Sequence, residues 1–166
     1  LTAGGTSNAG FNPGPANTVN FSHSSAPFTS GSTIATTLDG AYAVNALRFT
    51  GTPTGITTVT VGSGTGGAAS TLTIAPSSSV DGISVGANAG VVTISAPVVL
   101  GAAQTWSADG TGANGSALTV SGAVTGAAGL DINNSGGSGV VSLSAAAAAN
   151  TYSGTTTISN GGILRG

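Results

Sequence analysis

The 166-residue chain contains no Lys, Glu, Cys or Met. Its ionic inventory is Asp39, Asp81, Asp109, Asp131, Arg48 and Arg165, with His23 as the single imidazole, so 4% of its residues are charged against about 25% in an ordinary globular chain. With a net charge of −2 and no clustered cations, nothing here draws nucleic acid or anionic lipid, and neither is expected as a partner. The lack of cysteine excludes a disulfide framework, which leaves stability to backbone pairing and packing. Long apolar runs are also missing: the densest stretch, Val91 to Leu100, is broken by Thr93, Ser95 and Pro97, so no membrane-inserting helix is expected. The chain begins with Leu1 and has no basic n-region leading into an apolar h-region, so it reads as a processed chain or a fragment.

What is present is hydrophobic enough to fold. Hydrophobic residues make up 39% of the chain, in short recurrent runs rather than one block. Solubility must come from Ser, Thr and Asn rather than from ions, a weak defence against association. From Val44 onward, runs of three to five residues read as strands: Leu47–Phe49, Thr57–Val61, Leu72–Ile74, Ile83–Val85, Val91–Ile94, Val98–Leu100, Gln104–Trp106, Leu118–Val120, Leu130–Ile132, Val140–Leu143, Thr155–Ile158 and Ile163–Leu164. Turn chemistry separates them, as in Gly62–Gly67, Gly86–Gly90, Asp109–Gly112 and Asn133–Gly139.

Leu72, Val92, Val98, Leu118 and Val141 restart at intervals of roughly twenty, the period of a solenoid coil with two or three strands. The fold class expected is all-β, a parallel β-helix whose small flanking residues let coils stack about 4.8 Å apart. An antiparallel β-sandwich is the alternative, since the strand spacing and the Asp-Gly pairs at Asp39, Asp81 and Asp109 also suit hairpins. Residues 1–43 differ in composition, holding Phe11, Phe21 and Phe28 with Pro13, Pro15 and Pro27, and read as an irregular N-terminal arm or cap before a solenoid domain over 44–166. Ala145–Ala149 is too short to nucleate a helix and reads as the lead-in to the final coil.

The last stretch states the pattern most clearly. In Asn150 to Leu164, β-branched Thr155 to Ile158 alternate faces, and Gly154 and Asn160-Gly161-Gly162 supply bends of positive φ. This stretch resembles the autotransporter-associated β-strand repeat of secreted bacterial surface proteins, roughly Asn-x-Tyr-x-Gly-x-Thr-x-Ile-x-x-Gly-x-Leu. Asn150, Tyr152, Gly154, Thr156, Ile158, Gly161 and Leu164 fall at or within one residue of its positions. Upstream, Ala46–Gly51, Ala102–Trp106 and Leu118–Gly126 look like the same family. The resemblance implies a β-helical stalk or passenger segment of a larger secreted adhesin or autotransporter.

No constellation of catalytic residues emerges. Glycan cleavage on a β-helix needs paired carboxylates, or carboxylates on calcium with a base nearby, whereas here four isolated Asp sit mostly in Asp-Gly turns. His23, between Ser22 and Ser24, has no acid close in sequence, and Gly62–Gly67 lacks the Lys of a phosphate loop. Asp131, Asn133, Ser135 and Gly136 imitate half a calcium loop, but position twelve is Ser142 where a bidentate Glu is required, so a solvated turn is the reading. Asn20-Phe-Ser22, Asn114-Gly-Ser116 and Asn133-Asn-Ser135 match the N-glycosylation triplet, which arises readily by chance in a Ser-rich chain. Trp106 reads as a core plug rather than a sugar-stacking platform.

The expectation is therefore a non-enzymatic structural protein of the cell exterior or cell surface, without metal or cofactor. Its first partner would be copies of itself in a fibre, filament or layer, and a cell-surface or glycan ligand is a further candidate. The pattern stops mid-strand at Ile163-Leu164-Arg165-Gly166 without a polar cap, which suggests head-to-tail stacking. An apolar end of about 500 Å² only balances the cost of association. Phe11, Phe21 and Phe28, buried on a neighbour, would tip that balance, and they join Ile163 and Leu164 as the expected assembly interface.

Overall fold

The computed structural model describes residues 13–22, 33–51, 58–64, 70–77, 81–109, 117–134, 139–145 and 150–166. All regular structure in them is β. The first coil is β1 (Thr18–Ser22), β2 (Thr33–Leu38) and β3 (Tyr42–Val44); the second is β4 (Ala46–Thr50), β5 (Thr58–Ser63) and β6 (Leu72–Ile74). The third is β7 (Asp81–Val85), β8 (Val91–Ile94) and β9 (Val98–Leu100); the fourth is β10 (Gln104–Ala108), β11 (Ala117–Val120) and β12 (Val124–Gly126). Two two-stranded coils follow, β13 (Leu130–Asn133) with β14 (Val140–Leu143), then β15 (Thr156–Ser159) with β16 (Leu164–Arg165).

Each strand pairs in parallel with its equivalent one coil away, never with its chain neighbour. This gives three sheets in the orders β1-β4-β7-β10-β13-β15, β2-β5-β8-β11-β14-β16 and β3-β6-β9-β12. The fold is a parallel β-solenoid, not an antiparallel sandwich. Two of the Asp-Gly pairs do not close hairpins: Asp39-Gly40 bends the chain from β2 to β3, and Asp81-Gly82 lies inside β7; Gly110 of the third lies outside the described residues. Residues 150–153 extend the third sheet past β12, where Thr151 and Ser153 N–H donate to the Val124 and Gly126 carbonyls.

Alternation along each strand fills the interior with columns of like residues. Val19, Leu47, Ile83, Trp106, Ile132 and Ile158 stack in register in the first sheet; Ile34, Val59, Val92, Leu118, Val141 and Leu164 do so in the second. These side chains satisfy the pleat because β-branched and aromatic shapes pack well against an identical neighbour one strand away. Residues from the second to the fifth coil are fully buried, whereas Val19, Phe21, Ile34, Leu38 and Tyr42 at one end and Tyr152 and Leu164 at the other are only partly covered.

The coil period differs from the twenty expected. Trp106 to Ile132 and Ile132 to Ile158 are steps of 26, Ile83 to Trp106 is 23, and Leu47 to Ile83 is 36. Leu72 and Val92 are not equivalents, because Leu72 stacks with Val98 in the third sheet and Val92 with Leu118 in the second. Variable corner loops take up the difference. Nor does the hydrogen bonding stop at residue 43: β1, β2 and β3 pair with β4, β5 and β6, so the described part of the segment assigned as arm or cap forms the first coil.

Candidate functional site

Three of the five residues expected at an assembly interface lie among the described residues, and they are core or surface parts of this one chain. Phe21 lies face to face on Phe49 in the next coil, with ring centroids 4.7 Å apart and planes 9° from parallel, so it packs first against its own solenoid. Leu164 points inward and packs on the core, but Ile163, the residue before it, faces out and is 39% exposed. Pairing of Val141 with Leu164 therefore puts Ile163 on the lateral face of the second sheet and not on the coil's open end. Phe11, Phe28 and His23 lie outside the described residues, as do Asn114, Ser116 and Ala146–Ala149.

Trp106 is fully buried, and its Nε1–H donates to Gln104 Oε1 at 2.9 Å. Gln104 in turn donates from Nε2 to the carbonyls of Ile74 (3.0 Å) and Ala102 (3.1 Å). Room for this amide comes from Gly82, where the register of β7 against β10 shifts, because a Cβ there would overlap the Gln104 side chain. Gln104 thus completes the hydrogen bonding of a corner that the backbone leaves open. Asn45 does the same one corner of an earlier coil, accepting from Ser77 N–H at 2.9 Å, and Asn150 accepts from Val124 N–H at 3.0 Å.

The four carboxylates are spread out, and three of them accept from a neighbouring hydroxyl. Asp81 accepts from Ser107 Oγ at 3.0 Å, and Asp131 accepts from Ser159 Oγ at 2.9 Å, the same cross-coil bridge two coils apart on the outer face of the first sheet. Asp39 accepts from Tyr42 Oη. That hydrogen bond, with smaller help from desolvation and from the carboxylate's charge, raises the Tyr42 pKa above its ordinary 10.0. Asp131 and Asn133 of the calcium-like stretch share an outward face, while Asn134 turns into the corner and donates to the Gly139 carbonyl at 2.9 Å; Ser135 and Gly136 lie outside the described residues. Asp109, Asp131, Asn133 and Asn134 each keep one buried oxygen that has no partner among the described residues. Among the described residues no three His, Cys, Asp or Glu gather as a metal group would.

No family model, curated protein or solved structure matches the chain. Two open hollows of about 390 Å³ occur, one at the last coil beside Tyr152, Leu143, Leu164 and Arg165, the other beside Thr105, Asp131 and Thr157. Each holds one charged group, Arg165 or Asp131, flanked by hydroxyls and aliphatics. Such a set can donate, accept and pack, but it offers no acid–base pair. The end of the solenoid is the more distinctive: Ile158 is 55% exposed although its register partner Ile132 is fully buried.

Sequence reasoning missed the Gln104–Trp106 pair and the two Asp–Ser bridges. Gln104 is the only Gln in the chain, two positions before the only Trp, which was a legible signal for a buried indole partner. The bridges required the register, which the uneven loops hide.

Proposed function

We propose that this chain is a structural protein of the cell exterior, a β-solenoid subunit that stacks head to tail into a surface fibre, filament or layer. The observation that carries the reading is Ile158. It occupies a core column that runs through every coil, yet more than half its surface is open. At the opposite end Val19, Phe21 and Ile34 occupy the equivalent columns and are also only partly covered. A first coil placed on a last coil continues the columns of the first two sheets and gives their outer strand edges partners. The contact is heterologous, so it propagates rather than closing on itself.

An extracellular setting fits the hydroxyl-rich exterior and the lack of Lys, which leaves trypsin-like proteases only Arg48 and Arg165. Catalysis plays no part in the proposal. Copies of the chain are its partner, without nucleic acid or membrane insertion.

A second reading has specific support in Asn150, Tyr152 and Gly154, the residues that resemble the autotransporter-associated repeat. Asn150 and Ser153 hydrogen bond to the coil before them. Gly154 is required because a Cβ there would overlap the Ala128 carbonyl. In this reading the next coil belongs to a longer chain, and the solenoid is the stalk of a secreted adhesin whose tip meets a cell-surface or glycan ligand. Negative-stain microscopy of the purified 166-residue protein separates the two: long fibres are expected for the first, and uniform short rods at all concentrations support the second.

A further inference from the structure

The outward positions of the second sheet form columns as regular as those inside. Val91 pairs with Ala117 and Ala117 with Val140, and Ile163 extends the line because its carbonyl accepts from Val141 N–H. Val91 is 41% and Ile163 39% exposed, so two of the three exposed large hydrophobic side chains of the described residues share this one column. Beside it run Thr93, Thr119 and Ser142, also in register. Apart from Arg165 on β16, the outward residues of this sheet carry no charge. The pairing from β5 to β14 runs without the register shift that bends the first sheet.

We propose that this face is a lateral docking surface for the same face of a second copy, and that it binds solenoids side by side into bundles. The inference rests on the fibre reading above and adds a second, perpendicular contact to it. A second copy is the fitting occupant because the face carries a single charge, Arg165 at its last rung in register with Ser142, and is otherwise self-complementary: methyl groups meet methyl groups and hydroxyls line the border. Area decides when it acts. Four rungs about 4.8 Å apart and two columns about 7 Å apart cover on the order of 100–200 Å², several-fold less than the roughly 800 Å² per partner of a stable interface. One copy cannot hold another this way. Several copies in line can, since every added subunit brings a further patch already aligned. Bundling should therefore appear only after end-to-end growth.

The test uses neutral, nearly isosteric exchanges at outward positions. V91T/V140T interrupts the apolar column, leaving Ala117 and Ile163, and T93V widens it. In micrographs of wild-type fibres, bundles several solenoids wide are expected. V91T/V140T should reduce the mean width at least twofold with length unchanged, and T93V should increase it. Equal widths in all three proteins, with circular dichroism unchanged, would overturn the lateral contact while leaving the fibre intact. If the wild type forms no fibres, the fibre reading fails by itself and light scattering of single copies at millimolar concentration decides the lateral one. Attraction ordered T93V above wild type above V91T/V140T supports it; identical scattering from all three refutes it.

Discussion

Gln104→Leu is the most informative single substitution in the core. Leucine approximates the volume of the glutamine side chain but removes the acceptor of Trp106 Nε1–H, a donor with no exposure to water. The Ile74 carbonyl is not orphaned by the change, because it also accepts from Gly101 N–H at 2.8 Å. One buried, unsatisfied donor remains, worth about 1–3 kcal/mol, while the part-buried Ala102 carbonyl also loses the Gln104 amide. For a chain of this size that corresponds to a fall in Tm of roughly 2–12 °C. Trp106→Phe in the same background removes the donor, so the double variant should be more stable than the sum of the single effects by a similar 1–3 kcal/mol. Thermal unfolding followed by circular dichroism is the suitable assay, since Trp106 is the only tryptophan. A Gln104→Leu protein within about 0.5 kcal/mol of wild type, or strictly additive double-variant values, would refute the assigned role of the amide.

Gly154→Ala should cost about 1–3 kcal/mol, because its Cβ would push on the Ala128 backbone and not on a movable side chain; an unchanged Tm would contradict the close coil contact. Tyr42 should ionise above its usual 10.0, and Asp39→Asn should lower that value in an ultraviolet titration. Because the folded-state pKa is the raised one, the associated stability is present below pH 10 and is lost as pH rises through the folded value. Replacing Asp39, Asp81, Asp109 or Asp131 singly by Asn should cost no more than about 1 kcal/mol, and a chelator should leave Tm unchanged; a calcium-dependent rise in Tm would reverse the reading of Asp131 and Asn133. Far-ultraviolet circular dichroism should show one β minimum, and a helical fraction above about a fifth would sink the fold assignment over the whole chain.

The apolar restarts in the sequence located β4 to β11 and β13 to β16 within a residue or two, because most of them carry two inward apolar residues bounded by turn residues. Four strands were passed over, although β1, β2 and β3 place Val19, Phe21, Ile34, Leu38, Tyr42 and Val44 inward. β12 is Val124-Thr125-Gly126, with one aliphatic residue, and β1 and β2 lie in a Ser-, Pro- and Phe-rich region whose composition reads as irregular. Their pairing partners are 25 or more residues away, so tertiary stacking overrides local composition there. Gly154 shows the same limit: expected to supply positive φ, it is required for close approach, while Asn160 (46°) and Gly161 (76°) make the left-handed turn. Of the expected interface, Leu164 faces in and Ile163 faces out, a distinction that depends on which neighbour in the coil pairs with Val141.

Head-to-tail stacking is tested most directly by engineered thiols, because the chain has no cysteine of its own. Asn20 and Ser159 occupy the same outward column of the first sheet, one in the first coil and one in the last, five coil steps or about 24 Å apart within a copy. In a stack that continues the column, Asn20 of the next copy lies one strand spacing from Ser159, about 4.8 Å, within the Cα separation a disulfide allows. Mild oxidation of the N20C/S159C variant should give a ladder of dimers, trimers and longer multimers on a non-reducing gel, and reduction should collapse it to monomer. A variant that stays monomeric under oxidation at micromolar concentration, while folded by circular dichroism, would contradict the account.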